Sequence, residues 1–191
     1  MIKEQDIRPE AVRQEYWSLL EAKVRSYLDS EGRMKSENVE HVDCPVCGSA
    51  RSREMFTKRG FRFVQCLNCE LQYVNPTLKD ELILEFYNSE AMNFMQNVLL
   101  KSAAEVRKNR IHIPRARWLH QIAPSCSHPI LLEIGCSVGY FLEAAKEVDA
   151  WSLFAVEPNE DSARRVRKEL GVEVYDSLLN NADLESQVFD V

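Results

Sequence analysis

Four cysteines set the first chemistry of the chain: Cys44-Pro-Val-Cys47 and Cys66-Leu-Asn-Cys69. A C-x-x-C pair lets two thiolates reach one ion from a tight turn whose backbone amides face sulfur. Two such turns brought together by a hairpin give the closed tetrahedral site of structural zinc. Gly48 follows the first pair, where the turn often takes a positive φ. Four thiolates leave no open position for water, so the expected role is structural and not catalytic. His41 is a nearby ligand type, but the set is complete without it. Cys126 and Cys136 stand alone, and Cys136 reads as a small buried residue, not a reactive thiol.

The second chemistry lies in Glu133-Ile-Gly-Cys-Ser-Val-Gly139. An apolar run ends at Gly135, and the chain must turn sharply into a helix, with Gly135 and Gly139 letting backbone approach a ligand over the strand ends. A glycine turn alone is weak evidence. The next strand, Ser152–Val156, sharpens it by placing Glu157 at its C-terminal end, where a carboxylate can accept both ribose hydroxyls of an adenosine ligand. A dinucleotide site would want G-x-G-x-x-G, which Ser137 and Val138 do not give, and a P-loop would need G-K-[ST]. Residues 130–191 carry five Lys and Arg against thirteen Asp and Glu, a field better suited to a sulfonium cation than to a pyrophosphate.

Around these motifs the pattern calls for a helix over 9–28, with Pro9 in its first turn and Val12, Tyr16, Leu19, Leu20, Val24, Tyr27 and Leu28 on one face. Strands are expected at 61–65 and 71–75, and Asn75-Pro76 closes the module. Thr77 is then expected to open a helix with Asp80 as a weak capping box, and its buried face would be Leu78, Leu82, Ile83, Phe86 and Tyr87. Residues 90–122 read as further helix, interrupted near Pro114. After the loop that begins at Pro124, strands at 130–135, 152–156 and 172–175 alternate with two helices. The second helix is capped by Asn159, with Glu160 and Asp161 in its first turn, and it stops at Gly171. Phe189–Val191 looks like the start of a fourth strand. Alternation of this kind implies a doubly wound parallel sheet.

The chain has 191 residues and a net charge of −6, enough for one ordinary domain and a small module. No stretch approaches the roughly 20 apolar residues of a membrane helix, and the charged N-terminus has no signal-peptide core. A cytoplasmic protein with no membrane partner is the expectation.

The run from LLEIGCSVGYFLEAAKE through FAVEPN and LGVEVYDSLL to FDV is similar to the class I S-adenosylmethionine-dependent methyltransferases. CPVCGS and FVQCLNCELQYVNPTLKDELILEFY ahead of it resemble the subgroup with an N-terminal zinc ribbon. The resemblance spans about residues 44–191 and implies an α/β fold with a partial Rossmann-like sheet. It divides the chain into an N-terminal helix (1–40), a zinc ribbon (41–76), substrate-side helices (77–123) and part of a cofactor domain (124–191). It implies two cofactors, zinc and S-adenosylmethionine, and methyl transfer to a small-molecule acceptor such as a sugar or nucleotide-sugar. By the same resemblance Glu133, Gly135, Cys136 and Gly139 surround the methionine end, with Ser137 standing where the family has its middle glycine. Glu157, beside Pro158, takes the ribose, and Asp176, Ser177 and Leu178 lie near the adenine.

No residue is identified as a general base. Val191 falls where the family's fourth strand begins, so the expectation is an N-terminal piece that does not turn over alone and whose unpaired sheet edge favours self-association. Two other functions fit parts of the chain. An RNA methyltransferase would grip its substrate with the ribbon's Arg51, Arg53, Lys58, Arg59 and Arg62, although four thiolates on zinc offset most of that charge. A basic stretch over 101–117 is a better anion surface. A non-enzymatic interaction module is the third reading.

Overall fold

The computed structural model describes residues 10–123, 128–184 and 189–191. Pro9, Pro124 and Cys126 lie outside the described residues. The chain forms two compact units: one spans Leu19–Phe86, and the other joins the described part of Met1–Ser18 to Tyr87–Val191.

Helix α1 (Glu10–Ser26) brings its Leu20 and Val24 to the Leu19–Phe86 unit as buried residues, joined by Tyr27 just past its end. It stops short of the expected Leu28. Asp29 Oδ1 accepts the Glu31 and Arg33 amides at 2.9 Å each, and Leu28 bridges to Met34 instead of extending the helix. Short strand β1 (Val39–Glu40) is followed by β2 (Ser52–Lys58), β3 (Phe61–Cys66) and β4 (Gln72–Val74), an antiparallel sheet in the order β2-β3-β4. Strand β2 is not anticipated by the sequence, because six of its seven positions are exposed and no apolar alternation marks it. Its hairpin turns on Arg59-Gly60, with φ of 52° and 81°, the two positive angles of a type I′ turn. Phe56 then stacks on its cross-strand partner Phe63, 4.7 Å between centroids and 15° between planes.

The expected helix opening at Thr77 is corrected by the structure. Thr77–Leu78 form β5, paired antiparallel with β1, and α2 (Asp80–Tyr87) begins two residues later. Pairing with Val39 buries Leu78 in a way a helical first turn would not.

In the other unit, α3 (Glu90–Phe94) runs through a π turn at Met95–Leu99 and a 3₁₀ turn at Lys101–Ala103 into α4 (Ala104–Arg107). A second π turn, Lys108–His112, leads into α5 (Ile113–Ile122). Pro114 sits in the first turn of α5, directly after the π turn Lys108–His112, so the regular helix is interrupted beside it as expected, and it is interrupted earlier at the π turn Met95–Leu99.

Strands β6 (Ile130–Ile134), β7 (Ser152–Val156) and β8 (Glu173–Tyr175) form a parallel sheet in that order, linked by α6 (Tyr140–Val148) and α7 (Glu160–Leu170). Leu131, Leu153, Ala155 and Val174 share the strand face that packs on Ala116 of α5, Leu142 and Ala145 of α6, and Ala163 and Val166 of α7. On the other edge of β6, the Asp190 and Val191 amides donate to Ile130 O at 2.8 and 3.2 Å, and Leu132 N donates to Val191 O at 3.0 Å. A residue whose N–H and C=O bracket one residue of its neighbour has the pairing of a parallel strand. Chain order thus runs outward from β6 to β8 and then returns to the opposite side of β6.

Gly139 joins the turn after β6 to α6 at φ +83°, and a Cβ there would stand 2.7 Å from Leu170 Cδ1 and 2.9 Å from Val166 Cγ2. Gly171 also has a positive φ, but nothing lies within 4 Å of its missing Cβ. Gly139→Ala should therefore cost about 2–3 kcal/mol in urea unfolding, from strain and overpacking together. Gly171→Ala should cost about 1 kcal/mol, from the backbone alone. Equal losses would contradict this packing.

Candidate functional site

The four cysteines of the two C-x-x-C turns converge, with all their sulfurs within 4.8 Å of one another. Cys44 Sγ is 3.5 Å from Cys69 Sγ, and Cys47 Sγ is 3.6 Å from Cys66 Sγ. Tetrahedral zinc with bonds of about 2.3 Å requires sulfurs about 3.8 Å apart, so the donor set fits such an ion. The first turn precedes β2 and the second joins β3 to β4. In each the residue after the second cysteine has a positive φ, Gly48 at 68° and Glu70 at 62°, which lets Gly48 N reach Cys44 O and Glu70 N reach Cys66 O.

The amides face sulfur as expected: Asn68 N donates to Cys66 Sγ at 3.3 Å. The Asn68 side chain, then the Ser49 amide, lower the Cys47 thiol to about 6, which favours the thiolate a metal needs. Asn75 ties the module together, its side chain exchanging hydrogen bonds with both Val42 N and Val42 O. His41 is not in the cluster.

The second site lies at the C-terminal ends of the parallel strands. A cavity of about 330 Å³ is lined there by Gly135 and Ser137 after β6, Glu157 and Pro158 after β7, and Ser177 and Leu178 after β8. These six are among the residues singled out from the sequence. Tyr87, expected only on the buried face of a helix, and Met92, Met95 and Gln96, which the sequence did not single out, form a second wall, and Ile134, Val156 and Leu179 complete the lining. Among the described residues, no lysine or arginine lines this cavity.

Glu157 is its centre. The residue is 3% exposed, and its carboxylate is held from two sides: Ser137 N donates to Oε2 at 2.7 Å and Asn159 N to Oε1 at 2.8 Å. Each oxygen takes one backbone N–H and keeps further acceptor capacity. Burial raises the carboxyl above its usual range against the pull of those two amides. Ser137 adopts φ +51°, the left-handed conformation a glycine would hold without strain. Its hydroxyl is buried with no partner.

Four other expected site residues do not line the cavity. Gly139 packs under α7, as described. Asp176 pairs with Arg167, at 3.2 and 3.1 Å to its two terminal nitrogens. Cys136 is buried, and burial, then Glu133 and Glu157, hold its thiol far above the ordinary range, so it is inert. Glu133 lies on β6 in the core-facing register of Leu131, beside Ala155, with Oε2 buried and unpartnered. Burial first, then the neighbouring Glu157, push it up to about 8, against a smaller opposing pull from Arg115.

Two measurements follow from this geometry. Purified, reduced protein should carry about one zinc per chain, and Cys44→Ser should abolish it while Cys136→Ser leaves it. Folded protein with no metal would contradict the site. For Glu133, the unfolded group ionises near 4.5 and the folded one near 8. The unfolded chain therefore sheds the proton first, so the contribution is full below the unfolded value and is lost as pH rises through 8. Glu133→Gln should flatten this part of the pH–stability profile and exceed the parent at pH 8 by on the order of 3 kcal/mol. Parallel profiles would show that Glu133 is not buried as described.

No protein-family model matches the chain, and no curated protein matches it, so the two sites rest on their own geometry.

Proposed function

We propose that the cavity binds the adenosine part of S-adenosylmethionine and that the protein serves methyl transfer to a small, carbohydrate-type acceptor. The observation that carries this reading is Glu157, a buried carboxylate at a parallel strand's end whose two oxygens are oriented by opposite backbone amides. Two adjacent acceptors on one carboxylate match the two hydroxyls of a ribose. Support comes also from the strand path, since the chain reverses about β6 and the glycine turn lies at that reversal, where open α/β sheets bind ligands. On this reading the sheet is the first part of a Rossmann-like methyltransferase fold.

The residues present fit a nucleoside better than a nucleotide. With no cation in the lining, a phosphate would sit beside Glu157 uncompensated, whereas a ligand with a sulfonium and no phosphate meets no such penalty. Pro158 and Leu178 on one side and Met92 and Met95 on the other supply apolar surface for a base. The buried Ser137 hydroxyl offers an unused donor.

S-adenosylmethionine, when bound, supplies a methyl carbon on a positively charged sulfur. This chain's part is to hold the nucleoside at Glu157 and to keep water from it through the helical wall. The ribbon's role is structural.

Calorimetry with S-adenosylhomocysteine should show saturable binding that NAD and ATP do not displace. Glu157→Ala should weaken it at least tenfold, through loss of charge-assisted hydrogen bonds, while Cys136→Ala changes it little. Equal losses in the two variants would remove the ribose assignment. Binding of sugars and nucleotide-sugars to the protein loaded with S-adenosylhomocysteine, followed by calorimetry, tests the acceptor class without requiring turnover. Salt-sensitive binding of RNA instead would replace it.

A further inference from the structure

Asn159 does more than cap α7. Its Oδ1 accepts the Ser162 amide at 2.9 Å, which is the cap. Its Nδ2 donates in the other direction, to Tyr87 O at 2.7 Å and to Asn93 Oδ1 at 2.8 Å. Its own N–H holds Glu157 Oε1. Capping needs only the acceptor, and Asp or Ser would supply it. The amide half of the side chain is therefore spent on residues 66 and 72 positions away in sequence.

Those partners belong to the helical wall of the cavity. Two more contacts hold the same wall to the same turn. Asn88 Nδ2 donates to Pro158 O at 3.1 Å and Asn88 Oδ1 accepts Glu160 N at 3.0 Å, while Ser162 Oγ donates to Gln96 Oε1. Asn159, Gln96 and Ser162 are each at most 2% exposed, so water competes little for the bonds these three make, whereas the Asn88 bonds are exposed. The π turn at Met95–Leu99 follows at once, closed by Leu100 N on Met95 O. Its extra residue changes the helical phase, and Met92, Met95 and Gln96 all reach the cavity.

We propose that the Asn159 side-chain amide is a positioning device that fixes the wall over the Glu157 carboxylate, so that a nucleoside is clasped between the two. This rests on the nucleoside reading above for its ligand, though not for the wall itself. One residue sets both jaws: its backbone N–H aims the carboxylate, and its side-chain Nδ2 fixes Tyr87 and, through Asn93, the start of the wall.

Two isosteric changes separate this role from capping. Asn159→Asp keeps the acceptor for Ser162 N and adds a charge favoured at a helix N-terminus, but turns an oxygen toward Tyr87 O where a donor stood. Asn93→Asp keeps an acceptor for Nδ2 and so keeps the latch. Hydrogen exchange of the amides of 87–99 in ligand-free protein, with calorimetry of S-adenosylhomocysteine, reads both consequences. Asn159→Asp should speed exchange across 87–99 about tenfold or more, lower the thermal midpoint because a buried carboxylate then faces the acceptors Tyr87 O and Asn93 Oδ1, and weaken the ligand at least tenfold. Asn93→Asp should match the parent in all three. Unchanged exchange in Asn159→Asp, a speed-up spread over β6 to β8, or a loosened wall with undiminished affinity would each overturn the proposal. If the parent binds no S-adenosylhomocysteine, the nucleoside reading falls, and the exchange comparison still decides the latch.

Discussion

A buried carboxylate must be held by donors or it forces its surroundings to change, and at Glu157 the surroundings have been built to hold it. Two turns that are distant in sequence meet on its oxygens: the glycine turn through Ser137 N and the head of α7 through Asn159 N. The strained φ of Ser137, the approach of Gly139 to Val166 and Leu170, and the cap of α7 all serve to bring those amides to one point. Through Asn159 the same point anchors the helical wall. Glu133, on the neighbouring strand, holds its proton more readily, first because it is buried and then because Glu157 is near.

The Leu19–Phe86 unit solves a different problem. Its β2 is exposed at most positions, and α2 contributes no fully buried residue. Apolar burial of that extent supports a small fold poorly, and the four converging thiolates could hold a metal that would supply what it lacks. The turns are built for this: positive φ at Gly48 and Glu70 aims backbone amides back along each C-x-x-C pair. Asn75, bonded to both polar groups of Val42, joins the approach to the first turn with the exit from β4.

Much of this was legible in the sequence, for local reasons. The two C-x-x-C pairs, the glycine turn, Glu157, the Asn159 cap and the Gly171 stop are short-range patterns, and the structure places each where its spacing implies. Strand β2 was not legible because its side chains face solvent and its turn is Arg59-Gly60 instead of a strong hairpin dipeptide. The pairing of Thr77–Leu78 with Val39–Glu40 spans 37 to 39 positions, and no local signal at Thr77 competes with its look of a helix cap. The wall is legible as helix, and the resemblance puts it on the substrate side, but no residue of it is marked as lining the cavity. Its contacts to 157–162 arise from side-chain amides of Asn88, Asn93 and Gln96, residues that on a helix ordinarily suggest only a solvated face.

The most direct test of the central claim is the amide NMR spectrum of the protein titrated with S-adenosylhomocysteine. If Glu157 takes the ribose hydroxyls, the Ser137 and Asn159 amides that share its oxygens should show the largest saturable shifts, with smaller ones at Gly135, Ser177 and Leu178. The cysteine turns should stay where they are. Saturation with no movement of Ser137 and Asn159, or no saturable shift anywhere, would contradict the assignment of this cavity to a nucleoside.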